Sequence, residues 1–256
     1  MTELSADLLD RFTRRDRRAL AEIISQVETR PDESLLPAPE LRPSVSAPFV
    51  VGFTGSGGAG KSTLVGASIA HLRSQGRTVA VLACDPQSPL TGGALLGDRV
   101  RVRFDPDDEG VYFRSLSTRG AQGGVSTAVG PAIEWLKAFG FDVIIVETVG
   151  VGQDQIGVRP FVDVLALLVT PNSGDEVQWE KAGLIEIADL IVVNKADLPG
   201  ADRLRQQLLS ALSLGGKPPA PIFAVVASSG QGVAELWQAI DQRAPQAAGR
   251  KETEKS

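Results

Sequence analysis

The chain has 256 residues, 43% of them hydrophobic and 22% charged, with a formal net charge of −5. That is an ordinary globular composition with enough length for one large core, and the acidic balance points away from a general nucleic-acid binder. A single cysteine, Cys84, and a single histidine, His71, exclude an internal disulfide and a one-chain His/Cys zinc site, and they fit a reducing, cytoplasmic setting.

Leu8, Leu9, Phe12, Leu20, Ile23, Ile24 and Val27 recur at roughly helical spacing and predict one helix over residues 4–29. Acidic Glu3, Asp7, Asp10 and Asp16 break up the basic residues between Arg11 and Arg18. The segment therefore reads as an amphipathic helix with a charged face, not as a secretory signal or transit peptide. Five prolines between Pro31 and Pro48 mark a linker or extended strap. The expected division is residues 1–48 as a helical extension with its strap, 49–243 as the main domain, and 244–256 as a small, charged tail that frays.

From Phe49 onward, short apolar runs alternate with amphipathic stretches. The runs are Phe49–Phe53, Val79–Cys84, Val111–Leu116, Val143–Val146, Val164–Val169, Leu190–Val193 and Ile222–Val226. They are nearly continuous in Val, Ile and Leu, as strands covered on both faces are. Ser62–Ser74, Pro131–Phe139 and Ala201–Leu214 read as helices between them. The expectation is an α/β fold with a doubly wound, mostly parallel sheet. The longest apolar stretch, Phe161–Val169, contains Asp163 and is too short to span a bilayer, so no membrane role is expected.

Gly55-Ser56-Gly57-Gly58-Ala59-Gly60-Lys61-Ser62, followed by Thr63, fits G-x-x-x-x-G-K-[ST] between a strand and a helix. Glycines let successive backbone N–H groups point at phosphate oxygens, and the helix start adds its positive end. Lys61 is placed to reach the β and γ phosphates, and the Ser62 hydroxyl to ligate Mg²⁺. Ser56 stands where partitioning and arsenite-pump ATPases carry a lysine, which points away from those enzymes.

Asn194-Lys195-Ala196-Asp197 follows a strand. The Asp197 carboxylate can accept from guanine N1–H and the 2-amino group; adenine offers neither donor. The Lys195 stem can lie along the purine, Asn194 can brace the loop, and Ala227, Ser228 and Ser229 at a later strand end are weaker candidates for the guanine oxygen. Glu147, at the end of Val143–Val146, occupies the position of an acid that holds Mg²⁺ directly or through water. Gly150 can offer its N–H to the γ-phosphate. Asp85, also at a strand end, is either a second Mg²⁺ candidate or a turn cap. Gln153 is the candidate for orienting water. With no arginine finger in view, hydrolysis is expected to be slow unless a partner raises it.

Longer blocks carry a resemblance. Asp85-Pro86-Gln87-Ser88 with Thr91-Gly92-Gly93-Ala94-Leu95-Leu96-Gly97-Asp98-Arg99, then Arg114-Ser115-Leu116-Ser117-Thr118-Arg119-Gly120, Glu147-Thr148-Val149-Gly150-Val151-Gly152-Gln153 and Ser173-Gly174-Asp175-Glu176-Val177-Gln178 with Lys181, resemble the MeaB/MMAA (ArgK) GTPases. That family belongs to the SIMIBI class and serves adenosylcobalamin-dependent acyl-CoA mutases. The resemblance spans about residues 14 to 242. It implies a Mg²⁺ environment of Ser62, Asp85, Asp98 and Glu147, and a coupling loop from Asp175 to Lys181. It also implies GTP or GDP as ligand, a methylmalonyl- or isobutyryl-CoA mutase as partner, and no tightly bound cobalamin. Trp179-Glu180 stands where the family commonly has Gly-Ile, and about fourteen residues follow Gln242, in place of the family's dimerisation arm. That leaves monomer and dimer both open. Two other readings are a metal-insertion accessory GTPase, which needs soft or imidazole ligands, and a kinase, which needs a base for an acceptor hydroxyl and usually reads ATP.

Overall fold

A computed structural model describes residues 4–30, 35–41, 48–85, 102–117, 127–148, 157–171, 178–213 and 219–253. Its strands are β1 (Phe49–Gly55), β2 (Val79–Asp85), β3 (Val111–Ser117), β4 (Val143–Glu147), β5 (Val164–Val169), β6 (Leu190–Asn194) and β7 (Ile222–Val225). Its helices are α1 (Ala6–Thr13), α2 (Arg17–Thr29), α3 (Lys61–Ser74), α4 (Val129–Phe139), α5 (Gln178–Ile187), α6 (Ala201–Ser213) and α7 (Val233–Thr253). The strands form one sheet in the order β3-β2-β4-β1-β5-β6-β7, and every pairing is parallel. Among the described residues no helix is long and apolar enough to cross a membrane.

The continuous apolar runs are explained by cover on both sheet faces. Side chains alternate along a strand, so Val50, Ala80, Leu82, Ile144, Val146 and Leu165 pack under α1, α2 and α4. Their neighbours Val51, Phe53, Val79, Val81, Ile145 and Ala166 pack under α3 and α7. Leu167, Val169, Ile191 and Val193 continue the first face under α5 and α6. Three aspartates set the amino ends of the strands. Asp142 accepts from the Thr78 amide at 2.7 Å, Asp163 from the Val50 amide at 2.8 Å, and Asp189 from the Leu165 amide at 2.8 Å. Each carboxylate thus satisfies a backbone donor at the strand-start edge of the sheet.

The N-terminal segment departs from the single helix expected over 4–29. It breaks into α1 and α2 at Arg15, whose φ is +64°. Asp16 causes the break by capping the second helix: its Oδ1 accepts from the Arg18 amide at 2.8 Å and its Oδ2 from Arg11 Nε at 3.0 Å. The turn lets both apolar faces reach the sheet. Phe12 packs edge-on against Trp135 (5.0 Å, 86°) and Phe139 (5.5 Å, 63°). The hairpin also contacts the edge strand β3 at both of its ends. Arg17 donates to the Val111 carbonyl, and Glu28 accepts from the Ser117 amide at 2.9 Å while pairing with Arg114 at 3.1 Å. A helix laid against an edge strand in this way obstructs pairing with further strands. The strap returns over α4, where Trp135 Nε1 donates to the Leu35 carbonyl at 3.0 Å.

Candidate nucleotide site

The carboxyl ends of the parallel strands all face one edge of the sheet, and β1 emerges at its middle, between β4 and β5. Crossovers leave to both sides of such a strand, which opens a crevice there. β1 ends at Gly55, with φ +144°; a Cβ there would lie 2.3 Å from the Leu168 carbonyl, so the chain turns off β5 only as glycine. The loop closes at Gly60, with φ +88°, immediately before α3. A Cβ at Gly60 would lie 2.4 Å from Asn194 Nδ2. Gly57 and Gly58 at its crown are exposed, and Ala59 is buried.

Lys61 is only 7% exposed. Its ammonium donates to the Gly55 carbonyl at 2.7 Å and the Ser56 carbonyl at 3.1 Å, so the positive charge is held across the loop by the loop itself. Ser62 Oγ donates to Glu147 Oε1 at 2.7 Å. Thr63 is exposed on the first turn of α3. Ser62 and Glu147 come from the start of α3 and the end of β4, and meet beside Lys61. A hydroxyl and a carboxylate are hard oxygen donors, the donor type Mg²⁺ takes, so the pair fits that ion. No cluster of three or more His, Cys, Asp or Glu suited to a metal occurs among the described residues.

Asn194, 2% exposed at the end of β6, joins three segments. Its Nδ2 donates to the Ala59 carbonyl at 2.8 Å, and its Oδ1 accepts from the Ala227 amide at 3.2 Å. Lys195 follows with φ +55° and spans back to the Gly58 carbonyl at 3.0 Å. Its stem therefore bridges the phosphate loop and the β6 loop. Asp197 and Ser228 are exposed on the same rim. Ser229, also exposed, donates its hydroxyl to the Val226 carbonyl at 3.2 Å. Asp85 ends β2, in register with Ser117 and two strands from β1. Lys181 lies in α5. The side chains of Asp85 and Lys181, and all of Asp98, Gly150, Gln153 and Asp175, lie outside the described residues.

One pairing at the site is not visible in the sequence, although Thr148 lies in one of the blocks that resemble the family. Thr148 Oγ1 donates to Thr54 Oγ1 at 3.1 Å, and the two residues are 2% and 0% exposed. Threonine is also an ordinary residue in and beside strands, so only the fold reveals the pairing.

A parallel α/β sheet, a glycine loop opening a helix at its central strand and an Asn-Lys-x-Asp loop on the same rim define a P-loop GTPase. The family model "Methylmalonyl Co-A mutase-associated GTPase MeaB" matches residues 20–256, and the chain belongs to that family. A protein of Pyrococcus horikoshii described as a GTPase is 46% identical over 244 residues, covering 92% of this chain and 76% of that one. The methylmalonic aciduria type A homolog, mitochondrial, of Mus musculus is 39% identical over 199 residues, 75% of this chain and 48% of that one. The fused isobutyryl-CoA mutase of Cupriavidus metallidurans is 38% identical over 205 residues, 78% of this chain and 19% of that one. Among solved structures, a LAO/AO transport system kinase superposes with TM-score 0.67 at 27% identity, covering 98% of this chain and 83% of that one. HypB from Helicobacter pylori, in complex with nickel, superposes with TM-score 0.56 at 17% identity over 89% of this chain and 95% of that one, a likeness of fold alone.

Proposed function

We propose that this GTPase is a timer for an adenosylcobalamin-dependent acyl-CoA mutase, acting in the cytoplasm to gate cobalamin loading or reactivation. The observation that carries the reading is that a segment 38% identical to 78% of this chain lies inside a protein named a fused isobutyryl-CoA mutase. A segment that is part of a fused mutase in one protein is suited, as the similar chain here, to meet a mutase as a separate subunit.

In this reading Gly55 to Thr63 wraps the phosphates, and the Lys61 ammonium moves from its own loop carbonyls onto the β and γ oxygens. Ser62 and Glu147 hold Mg²⁺, with Asp85 and Asp98 as further members of its environment carried over from the family blocks. The ion supplies charge neutralisation at the phosphates. Asp197 reads the guanine N1–H and 2-amino group, the Lys195 stem covers the base, and Ser228 and Ser229 border it with Ala227. Gly150 senses the γ-phosphate, and Gln153 orients the attacking water. Asp175 and Lys181 couple the mutase to the site. The metal-insertion reading has one thiol and one imidazole to draw on: Cys84, buried near the end of β2, and His71 on α3, 3.1 Å from Gln75.

Phosphate release by the full chain, with and without purified methylmalonyl- or isobutyryl-CoA mutase, tests the proposal. The expected stimulation is about ten- to a hundredfold, equivalent to roughly 1.4 to 2.7 kcal/mol of barrier. A pull-down with GMPPNP or GDP should retain the cognate mutase in one nucleotide state. Absence of both stimulation and retention, with each mutase, overturns it.

A further inference from the structure

β1 and β4 lie side by side with Phe53 opposite Glu147. Just beyond that pair β1 must turn into the phosphate loop and β4 ends. Two contacts carry the pairing one residue further: the Thr148 amide donates to the Phe53 carbonyl at 3.1 Å, and the Thr148 hydroxyl reaches Thr54 Oγ1 at 3.1 Å and the Phe53 carbonyl at 3.4 Å. Successive side chains of a strand point to opposite faces. Glu147 is therefore held from the α3 side by Ser62, and its successor Thr148 is held from the other side by Thr54.

Both threonines are buried, where a hydroxyl is costly unless it is paired and a valine of the same outline packs without that cost. Burial alone thus favours valine at both positions. Two hydroxyls facing each other there fix the relative position of the strand ends instead. What they fix is the separation between the start of the phosphate loop and the carboxylate of Glu147. We infer that Thr148, anchored on Thr54, is a positioning residue that aims Glu147 at the Mg²⁺ position beside Ser62. The inference rests on the reading of Ser62 and Glu147 as Mg²⁺ ligands. Groups that orient a ligand in this way typically change metal affinity ten- to a hundredfold when removed.

Release of fluorescent GDP from the full chain, followed across a Mg²⁺ titration and in EDTA, tests it. In the unmutated chain Mg²⁺ should slow release with a defined midpoint. Thr148→Val should raise that midpoint about tenfold while leaving release in EDTA unchanged, and Thr148→Ser, which keeps the hydroxyl, should bring it back to within about twofold. A loss of packing alone would affect release in EDTA as well. An unmoved midpoint in a folded Thr148→Val protein overturns the inference. If that variant does not fold, Thr54→Val removes the same bond from the other side, and an unmoved midpoint there overturns it equally. If the unmutated chain shows no Mg²⁺ effect, the Ser62–Glu147 reading falls and takes this inference with it; a normal Mg²⁺ effect with an unmoved variant removes the inference alone.

Discussion

Lys61 and Asn194 are tied to the same loop in opposite ways. Lys61 is charged and bonded to two carbonyls at 2.7 and 3.1 Å, which water or phosphate oxygens can replace. Asn194 is neutral and bridges Ala59 to Ala227, a link between backbone groups that nothing in solvent reproduces. Lys61→Ala should therefore leave the fold intact and, in the proposed reading, remove the charge that meets the transferring phosphoryl group. Hydrolysis should fall about a hundredfold or more, as when one preorganised donor is lost. Phosphate release and circular dichroism on the same sample check both halves; normal turnover by a folded variant would contradict the role of the loop. Asp197 stands exposed with no bond to its carboxylate among the described residues, so it costs the fold little to change. In the proposed reading, Asp197→Asn puts a donor where guanine needs an acceptor. GTP affinity should drop by about 1–3 kcal/mol, the usual cost of an unpaired polar group, and xanthosine triphosphate, with an oxygen at position 2, should compete better than before. Competition titrations with GTP, xanthosine triphosphate and ATP distinguish the outcomes.

At the scale of elements, the helical hairpin α1–α2 is part of the core. Leu8, Phe12, Leu20, Ile23, Ile24 and Val27 are buried in one cluster with α4 and the sheet. Phe12→Ala removes a ring that meets Trp135 and Phe139. Truncating a buried aromatic costs about 3–5 kcal/mol. Urea unfolding should show that loss as a lower midpoint with one transition. A cost below about 1 kcal/mol, the level of an ordinary surface substitution, would mean that α1 is not docked on α4. The hairpin matters for the site because the last turn of α2 carries Glu28, which binds Ser117 and Arg114 on the strand paired with β2. A short helix of moderate propensity holds this place through tertiary packing.

For the whole molecule, the site is assembled from β1, α3, β4, β6 and the segment after β7, so nucleotide binding should stabilise all of them together. A ligand at 100 times its Kd adds about 2.7 kcal/mol to a folded state that alone binds it. In a chain of this size that is a rise in Tm of about 5–10 °C. Thermal unfolding with GDP and Mg²⁺ should show it, and ATP at equal concentration should not. An equal rise with ATP would contradict guanine selection by the Asp197 loop.

The phosphate loop, the Asn-Lys-x-Asp loop and the alternation of strands and helices were all legible in the sequence. Each is a contiguous string whose geometry is set by its own residues: glycines where φ is positive, a lysine and serine at a helix start, an aspartate just past a strand. The break of the first helix was local too, since Asp16 is a capping residue, but the continuous apolar spacing on both sides of it masked the signal. What the string did not contain was adjacency. The seven apolar runs are nearly alike in Val, Ile and Leu, so their pattern does not say which strand lies beside which. The order β3-β2-β4-β1-β5-β6-β7 was decided by how the helices fit over both faces. Only that order brings Ser62 to Glu147 across 85 positions, Ala59 to Asn194 across 135, and Thr54 to Thr148 across 94. Hydrogen bonds reach about 3 Å, and at that range the site exists only once the sheet has closed around it.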